Sequence, residues 1–377
     1  MDASKNPNVE PKLIWLLIIH RHGDRSPFKF PPKDKYRDRK YWPEGYGHLN
    51  NKGRSRMYRL GQFIRRRYDH FMTDSIREVY SRSSDADRCI ESASAVLAGM
   101  YPPSERFRWN SDLLWVPTPV HSVPPQDDYL LNFDGKRYRE EKDKERLKIQ
   151  QSEAVKQMYE ESVQEREILE RELGYCFDKF TVFPAVYSTM AIEENSGLEM
   201  PSWYTPEFKN KITNLARRSF ALGYASLRLR QMGFGHLIED IVTKMEEVPI
   251  VDTESDAVSD LDQATNLPSE KNEYRIVQYS THDWSLCGLI ATLDIDNPNV
   301  PGFGASFFFE LYVDVDEQGI AIGEKYLKIF YLNNTESEAP VEKMLPGCKL
   351  DSRGRLTLSN FREHIKHLLP KEGDLRP

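Results

Sequence analysis

The stretch Ile19-His20-Arg21-His22-Gly23-Asp24-Arg25-Ser26-Pro27 stands at the end of an apolar run, Leu13 to Ile19. That run is short and rich in leucine and isoleucine, which suits a strand buried on both faces rather than a helix. Gly23 and Pro27 then break the pattern. Arg21, His22 and Arg25 therefore leave the carboxyl end of an interior strand, where open α/β sheets hold their ligands. Two guanidiniums can grip a tetrahedral oxyanion through paired charge-assisted hydrogen bonds, and a histidine between them can attack it or carry protons. This chemistry points to phosphate. A solvated surface turn around an interior histidine is the competing reading of an Arg-His-Gly triplet. The longer string R-H-G-x-R-x-P fixes five residue types, and a chain of this length contains it by chance about once in 10,000 cases.

Working outward, the loop Phe28 to Gly47 leads to a helix with Met57, Leu60, Ile64 and Tyr68 at helical spacing and Asn50 or Asn51 as its cap. Its many arginines read as a solvated face. Ile76 to Tyr80 predicts a second strand, followed at once by Ser81-Arg82-Ser83-Ser84-Asp85-Ala86-Asp87-Arg88. The next helix buries Cys89, Ala93, Val96, Leu97 and Met100 and stops at Pro102-Pro103. This order puts Arg82 at a strand end and a helix amino terminus, favourable to anions, at the same sheet edge. Arg275 to Thr281 predicts a third strand, ending in His282-Asp283, before an apolar helix from Trp284 to Leu293. Ala305 to Val315 and Glu324 to Leu332 predict a hairpin, and Ser359 to Leu369 a last helix.

The chain of 377 residues is 39% hydrophobic and 29% charged, enough for one large domain with an insertion or for two domains. A net charge of -7 argues against a dedicated nucleic-acid binder. No apolar run is long enough to span a bilayer. Met1 to Lys12 lacks the order of a signal peptide, which favours a cytoplasmic chain, with a lysosomal or secreted one whose leader was removed as the alternative. Cys89, Cys176, Cys287 and Cys348 are scattered without metal-ligand spacing and read as free thiols. Composition shifts after His121: Lys136 to Glu172 is dense in Glu, Lys and Arg, with Leu147, Met158, Val163, Ile168 and Leu169 as its apolar contacts. It reads as the helices of a smaller cap, residues 122–204, inserted into an α/β core of 1–121 and 205–377. Thr205-Pro206 opens the next helix, and Glu207 to Met232 and His236 to Met245 read as sheet-covering helices. Thr253 to Glu273 reads as an exposed loop.

The heptapeptide from Arg21 to Pro27, the segment Tyr80 to Arg88 and the His282-Asp283 pair together resemble the histidine acid phosphatases, the branch that includes the prostatic and lysosomal acid phosphatases. Further matches are Gly47-x-Leu49 with Gly53, Pro119-Val120-His121-x-Val123-Pro124, Pro201-Ser202-Trp203 and Leu345-Pro346-Gly347-Cys348. The resemblance implies a phosphoglycerate-mutase-like fold, a mainly parallel sheet with helices on both faces and an inserted helical cap. It implies His22 as nucleophile, forming a phosphohistidine, with Arg21, Arg25, Arg82 and His282 holding the phosphoryl oxygens. Asp283 would protonate the leaving group and then serve as base toward water, with no metal or other cofactor. An aspartate of pKa about 3.9 is about 7% protonated at pH 5 and about 0.1% at pH 7, so an acidic optimum follows. The substrate is a small phosphomonoester or a phosphoprotein. The cap would help set leaving-group preference, with Phe183 and Tyr187 as aromatic candidates, and a homodimer is implied.

Departures concern the compartment. Only Cys348 matches a usual cysteine position of the secreted relatives, and one glycosylation sequon, Asn333-Asn334-Thr335, is present. Rival readings are a specialised lysophospholipid, inositol-phosphate or phosphotyrosine phosphatase on the same site, a mutase, and a phosphate-binding scaffold. Retention of both His22 and Asp283 counts against the scaffold.

Overall fold

Strand β1 (Glu10–Arg21) starts at the surface, is buried from Trp15 to Arg21 and forms the axis of the molecule. The computed structural model describes residues 9–133, 135–250 and 274–370; the segment Thr253 to Glu273 lies outside the described residues. β1 is flanked by β4 (Ile276–Thr281), parallel, and β5 (Ser306–Val315), antiparallel. Beyond β4 lie β2 (Val79–Ser84) and the short edge strand β3 (His121–Val123), both parallel to their neighbours. Beyond β5, the hairpin partner β6 (Ala321–Leu332) pairs antiparallel with β7 (Val341–Glu342) and with β8 (Leu356–Thr357). The sheet order is β3-β2-β4-β1-β5-β6-β7. The parallel block brings the carboxyl ends of β1, β2 and β4 to one edge, and the antiparallel strands extend the sheet away from it.

Alternation along β1 divides the core. Trp15, Leu17 and Ile19 face α9 (His236–Glu247), α10 (Asp283–Thr292) and α11 (Leu358–Ile365). Leu16 and Ile18 face α1 (Asn51–Arg67) and α2 (Asp87–Met100). The fold is thus α/β with helices on both faces. Each of these side chains contributes about 1.5–3 kcal/mol by leaving water. A one-residue slip would exchange the two faces and carry the motif with it, so the register is fixed by burial. Asn50 caps α1, its side chain accepting the Gly53 N–H at 2.8 Å.

The second strand differs from expectation. Ile76–Glu78 forms a single 3-10 turn, and the strand runs on through Ser81 to Ser84. Serines tolerate this buried position because their hydroxyls find partners: Ser81 Oγ donates to Gln278 Oε1 at 2.9 Å and Ser83 Oγ to the Ser84 carbonyl at 2.8 Å.

The segment read as a cap folds into α3 (Arg139–Gln150), α4 (Glu153–Glu160), α5 (Val163–Leu173) and α6 (Val182–Asn195). Met158 and Leu169 are buried in it as expected, whereas Leu147 and Val163 are exposed and Ile149 takes an inner position. The helix expected from Glu207 to Met232 breaks after Leu222 into α7 (Pro206–Leu222) and the short α8 (Leu227–Arg230), which Ser226 caps. α7 does not simply cover the sheet: Phe208, Ile212 and Leu215 pack with Phe183, Val186 and Met190 of α6. Among the described residues no helix is long and apolar enough to cross a membrane.

Candidate active site

The motif leaves β1 through a contact that only glycine permits. A Cβ on Gly53 would lie 2.1 Å from the Asp24 carbonyl oxygen, and one on Gly23 would lie 2.7 Å from that of Gly53. The amino terminus of α1 therefore seats directly on the loop. Asp24 is buried and paired with Arg56 Nε at 2.5 Å, and Arg56 Nη1 reaches Thr335 and Glu336 at 2.8 Å each. Arg25 makes a bridge to Leu49, and the Ser26 hydroxyl donates to the Gly45 carbonyl at 2.5 Å. These bonds hold the loop from below and leave its charged side chains free to converge.

His22 is 1% exposed. Its Nδ1 lies 2.9 Å from the Gly23 carbonyl, which can only accept, so the proton is on Nδ1 and Nε2 keeps its lone pair. His20, two residues earlier, is buried under α2, where Gln278 Nε2 donates to its Nε2 at 2.9 Å, and it takes no part. Arg21 Nη2 pairs with Asp283 Oδ2 at 2.7 Å while its Nη1 donates to the Pro301 carbonyl at 2.7 Å. Arg25 Nη1 donates to the Ser26 carbonyl and its Nη2 lies 3.4 Å from Ser188 Oγ of the cap. Arg88 Nη2 donates to His282 Nδ1 at 3.3 Å. His282 must then carry its proton on Nε2, which donates to Ser84 Oγ at 3.0 Å. The Nε atoms of Arg21, Arg25 and Arg88 are buried without a hydrogen-bond partner in the described chain. Three convergent unspent donors suit an anion.

The charges set the protonation states. Burial, then Arg21, Arg88, Arg25 and His282, hold the pKa of His22 well below its ordinary value, so its Nε2 stays unprotonated in acid. Burial and then Arg88 do the same to His282. Burial and Arg88 pull even Arg25 down to about 9, a measure of how crowded the cations are. For Asp283, burial raises the pKa but Arg21 and Arg25 outweigh it, and the carboxyl lies below its ordinary range. Its Oδ1 also accepts the Trp284 N–H at 2.8 Å.

Arg21, His22, Arg25, His282 and Asp283 thus come together as the sequence suggested. Arg82 does not. It lies inside β2, on the face of Tyr279, and its Nη2 pairs with buried Asp128 Oδ1 at 2.7 Å. Arg88 occupies the place expected of it. The extra strand residues shift the turn, so the arginine that reaches the site is the one in the first turn of α2. The signal was in the quoted segment, since a cation beside a helix amino terminus that favours anions is electrostatically odd unless an anion binds there. Phe183 is likewise core, fully buried in the cap. The aromatic rings at the site are Phe303, 4.2 Å from the Arg21 guanidinium carbon and 5.9 Å from the His22 ring, and Phe28 over Arg25 at 5.1 Å. Tyr187 is half-buried and feels the charges of Arg21 and Asp283.

The comparisons with known proteins bear on the family and the fold. Residues 12–332 match the family described as histidine phosphatase superfamily (branch 2). The chain belongs to that superfamily. As a histidine phosphatase it is a hydrolase, and it is 30% identical to human prostatic acid phosphatase over 96% of this chain and 86% of that protein. It is also 30% identical to human lysosomal acid phosphatase over 97% of this chain and 80% of that one. Among solved structures, a Hafnia alvei phytase in complex with tartrate superposes with a TM-score of 0.70 at 16% identity, covering 97% of this chain and 99% of that chain. That likeness bears on the fold.

Proposed function

We propose that this histidine phosphatase hydrolyses phosphate monoesters through a covalent phosphohistidine on His22, with Asp283 as general acid and then base. The single observation that carries the reading is the pairing of a neutral His22, its Nε2 lone pair free, with three arginines whose Nε donors are unspent. In-line attack by Nε2 forms the N–P bond as the ester P–O bond breaks, and Asp283 delivers its proton to the departing oxygen. Water then attacks phosphorus, gives its proton to Asp283, and restores His22. Arg21, Arg25, Arg88 and His282 hold the equatorial oxygens, where three guanidiniums supply the charge stabilisation that phosphoryl transfer requires without a metal ion.

The acid preference follows from the two shifts together. Lowering the pH populates protonated Asp283 without protonating His22, because His22 is depressed as well. Beyond the phosphate, the rim is aromatic, with Phe28, Phe303 and Tyr187. This supports a simple ester with an aryl or apolar leaving group over a polyphosphorylated ring. The cap, residues 122–204, bears on that choice through Tyr187 and Ser188. Assembly as a homodimer belongs to the same reading, supported by exposed Trp109, Leu113, Leu114 and Trp115 in the segment leading to edge strand β3; light scattering tests it.

The deciding experiment is p-nitrophenyl phosphate hydrolysis from pH 4 to 8, with and without EDTA. Acid-favoured, EDTA-resistant turnover with a phosphoenzyme trapped by acid quench is expected. Turnover that EDTA abolishes, or a phosphoenzyme that persists in His22→Ala, overturns the mechanism.

A further inference from the structure

Ser84 and Arg88 stand on either side of the turn that joins β2 to α2, and both reach His282. Ser84 is the last residue of the strand and is 4% exposed. Its carbonyl accepts the Ala86 N–H and the Ser83 hydroxyl, each at 2.8 Å, so the backbone that carries the Ser84 hydroxyl is held in place. The His282 ring is packed on two further sides. Cys89 Sγ, whose hydrogen goes to the Thr281 carbonyl, lies 3.6 Å from Nδ1 and 3.8 Å from Nε2. The His22 ring stands edge-on, with centroids 5.6 Å apart. A sulfur nearly equidistant from both nitrogens orients the plane of the ring without choosing between them.

The choice falls to Ser84. Arg88 only donates, so its bond to Nδ1 needs a bare nitrogen there and puts the ring proton on Nε2. That proton is buried, and Ser84 Oγ, 3.0 Å from Nε2, accepts it. Without the hydroxyl, a neutral ring would either leave a buried N–H unpaired or move its proton to Nδ1, where it would face an N–H of Arg88. Burial and then Arg88 hold the ring pKa well below its ordinary value, so the ring does not escape by taking a second proton. The neutrality of this tether matters. Arg21 is paired with Asp283 and Arg82 with Asp128, whereas Arg88 makes no ion pair among the described residues and its Nε is buried without a partner. An uncharged ring fixes the guanidinium without cancelling its charge.

We propose that Ser84 is a positioning residue: by accepting the Nε2–H of His282 it fixes the ring tautomer that holds Arg88, and so aims an unneutralised guanidinium into the phosphate cradle. His282 then holds the phosphoryl oxygens through Arg88, its own two nitrogens being engaged. The hydroxyl acts only through this chain of contacts. Its part in phosphoryl transfer rests on the phosphatase reading of the site; the hydrogen-bonded order Ser84, His282, Arg88 does not.

The test compares wild type with Ser84→Ala and with Ser84→Thr, which keeps the hydroxyl on a β-branched residue suited to a strand end. Thermal melts confirm that each variant folds. Ring nitrogen-15 NMR at pH 7 reads the tautomer, with the His282 signals assigned by their loss in His282→Asn. Wild type should carry the proton on Nε2, and Ser84→Ala should move it at least partly to Nδ1. A wild-type proton on Nδ1, or a tautomer that Ser84→Ala leaves unchanged, overturns the tether. On p-nitrophenyl phosphate at pH 5, Ser84→Ala should lower kcat/KM by about 10–30-fold, and Ser84→Thr should stay within about threefold of wild type. Equal losses in the two variants overturn the role of the hydroxyl. In an Arg88→Ala background, Ser84→Ala should cost no more than about twofold, because the group it positions is gone. A purely structural serine would lower both backgrounds alike, and that result overturns positioning. Absence of hydrolysis by wild type would overturn the phosphatase reading, while the ring signals still decide the tether.

Discussion

The sheet edge and the cap hold their side chains in different ways. At the edge, Arg21, His22 and Arg25 follow directly from a buried strand, and the backbone is pinned by the Gly23–Gly53 contact and the Asp24–Arg56 pair. Arg88 and His282 enter at the amino termini of α2 and α10, and each bonds the other. In the cap, short helices with strongly charged outer faces share a small apolar cluster that borrows Phe208, Ile212 and Leu215 from α7. Its polar links to the edge are few, among them Ser188 to Arg25. Polar placement at the edge is over-determined, whereas in the cap it depends on apolar packing. Substitutions at the edge should therefore cost activity with little loss of fold, and substitutions inside the cap should cost stability with little loss of chemistry.

The largest effect tests the edge. His22→Ala should lower kcat on p-nitrophenyl phosphate at pH 5 by about 10⁴-fold or more with an unchanged melting temperature, read by a coupled assay and calorimetry. A loss below tenfold would break the comparison at its centre. Asp283→Asn should cost about 10²–10⁴ in kcat, more for alkyl than for p-nitrophenyl esters, and should flatten the fall in activity with rising pH. The sign follows from its depressed pKa: activity rises as pH falls toward that value, and the amide has no such titration.

The two arginines of one segment sharpen the contrast. Arg88→Ala should reduce kcat/KM by about 10²–10³ by removing a cation from the transferring phosphoryl group. Arg82→Ala should leave turnover within about threefold but lower the melting temperature, because Asp128, 1% exposed, then lacks its cation. Equal kinetic losses at both positions would show that the edge extends beyond the convergent set. Phe183→Ala should destabilise the protein by about 3–5 kcal/mol through a cavity among Val186, Met190 and Ile212, while kcat well below the melting temperature stays within twofold. Denaturant titration reads the first quantity and initial rates the second.

Much of the edge was legible in the chain because its pattern is local. The apolar alternation ending at Arg21, the glycine after His22, and the His-Asp pair after β4 each mark a strand that stops at a ligand edge. Arg82 was misplaced because strand length is not local: whether Ser81 to Ser84 extend β2 depends on Gln278, nearly 200 residues away, accepting the Ser81 hydroxyl. The cap was harder still. Leu147 and Ile149 are two residues apart in a helix whose apolar pattern is weak, and the cluster formed with α6 and α7 decides which of them is buried. Phe183, an apolar residue on a cap helix, reads equally well as a pocket wall or as core, and its neighbours decide for core.

The sequence by itself determined the α/β class, the strand ends that carry ionisable groups and the histidine set between two arginines at the end of β1, because periodicity and fixed spacing act over a few residues. Only the tertiary structure decided that Arg88 rather than Arg82 comes together with His282, and that burial and the neighbouring cations hold the His22 pKa low. Each of these depends on desolvation and on charges brought together from distant positions, and those energies exist only once the chain has packed.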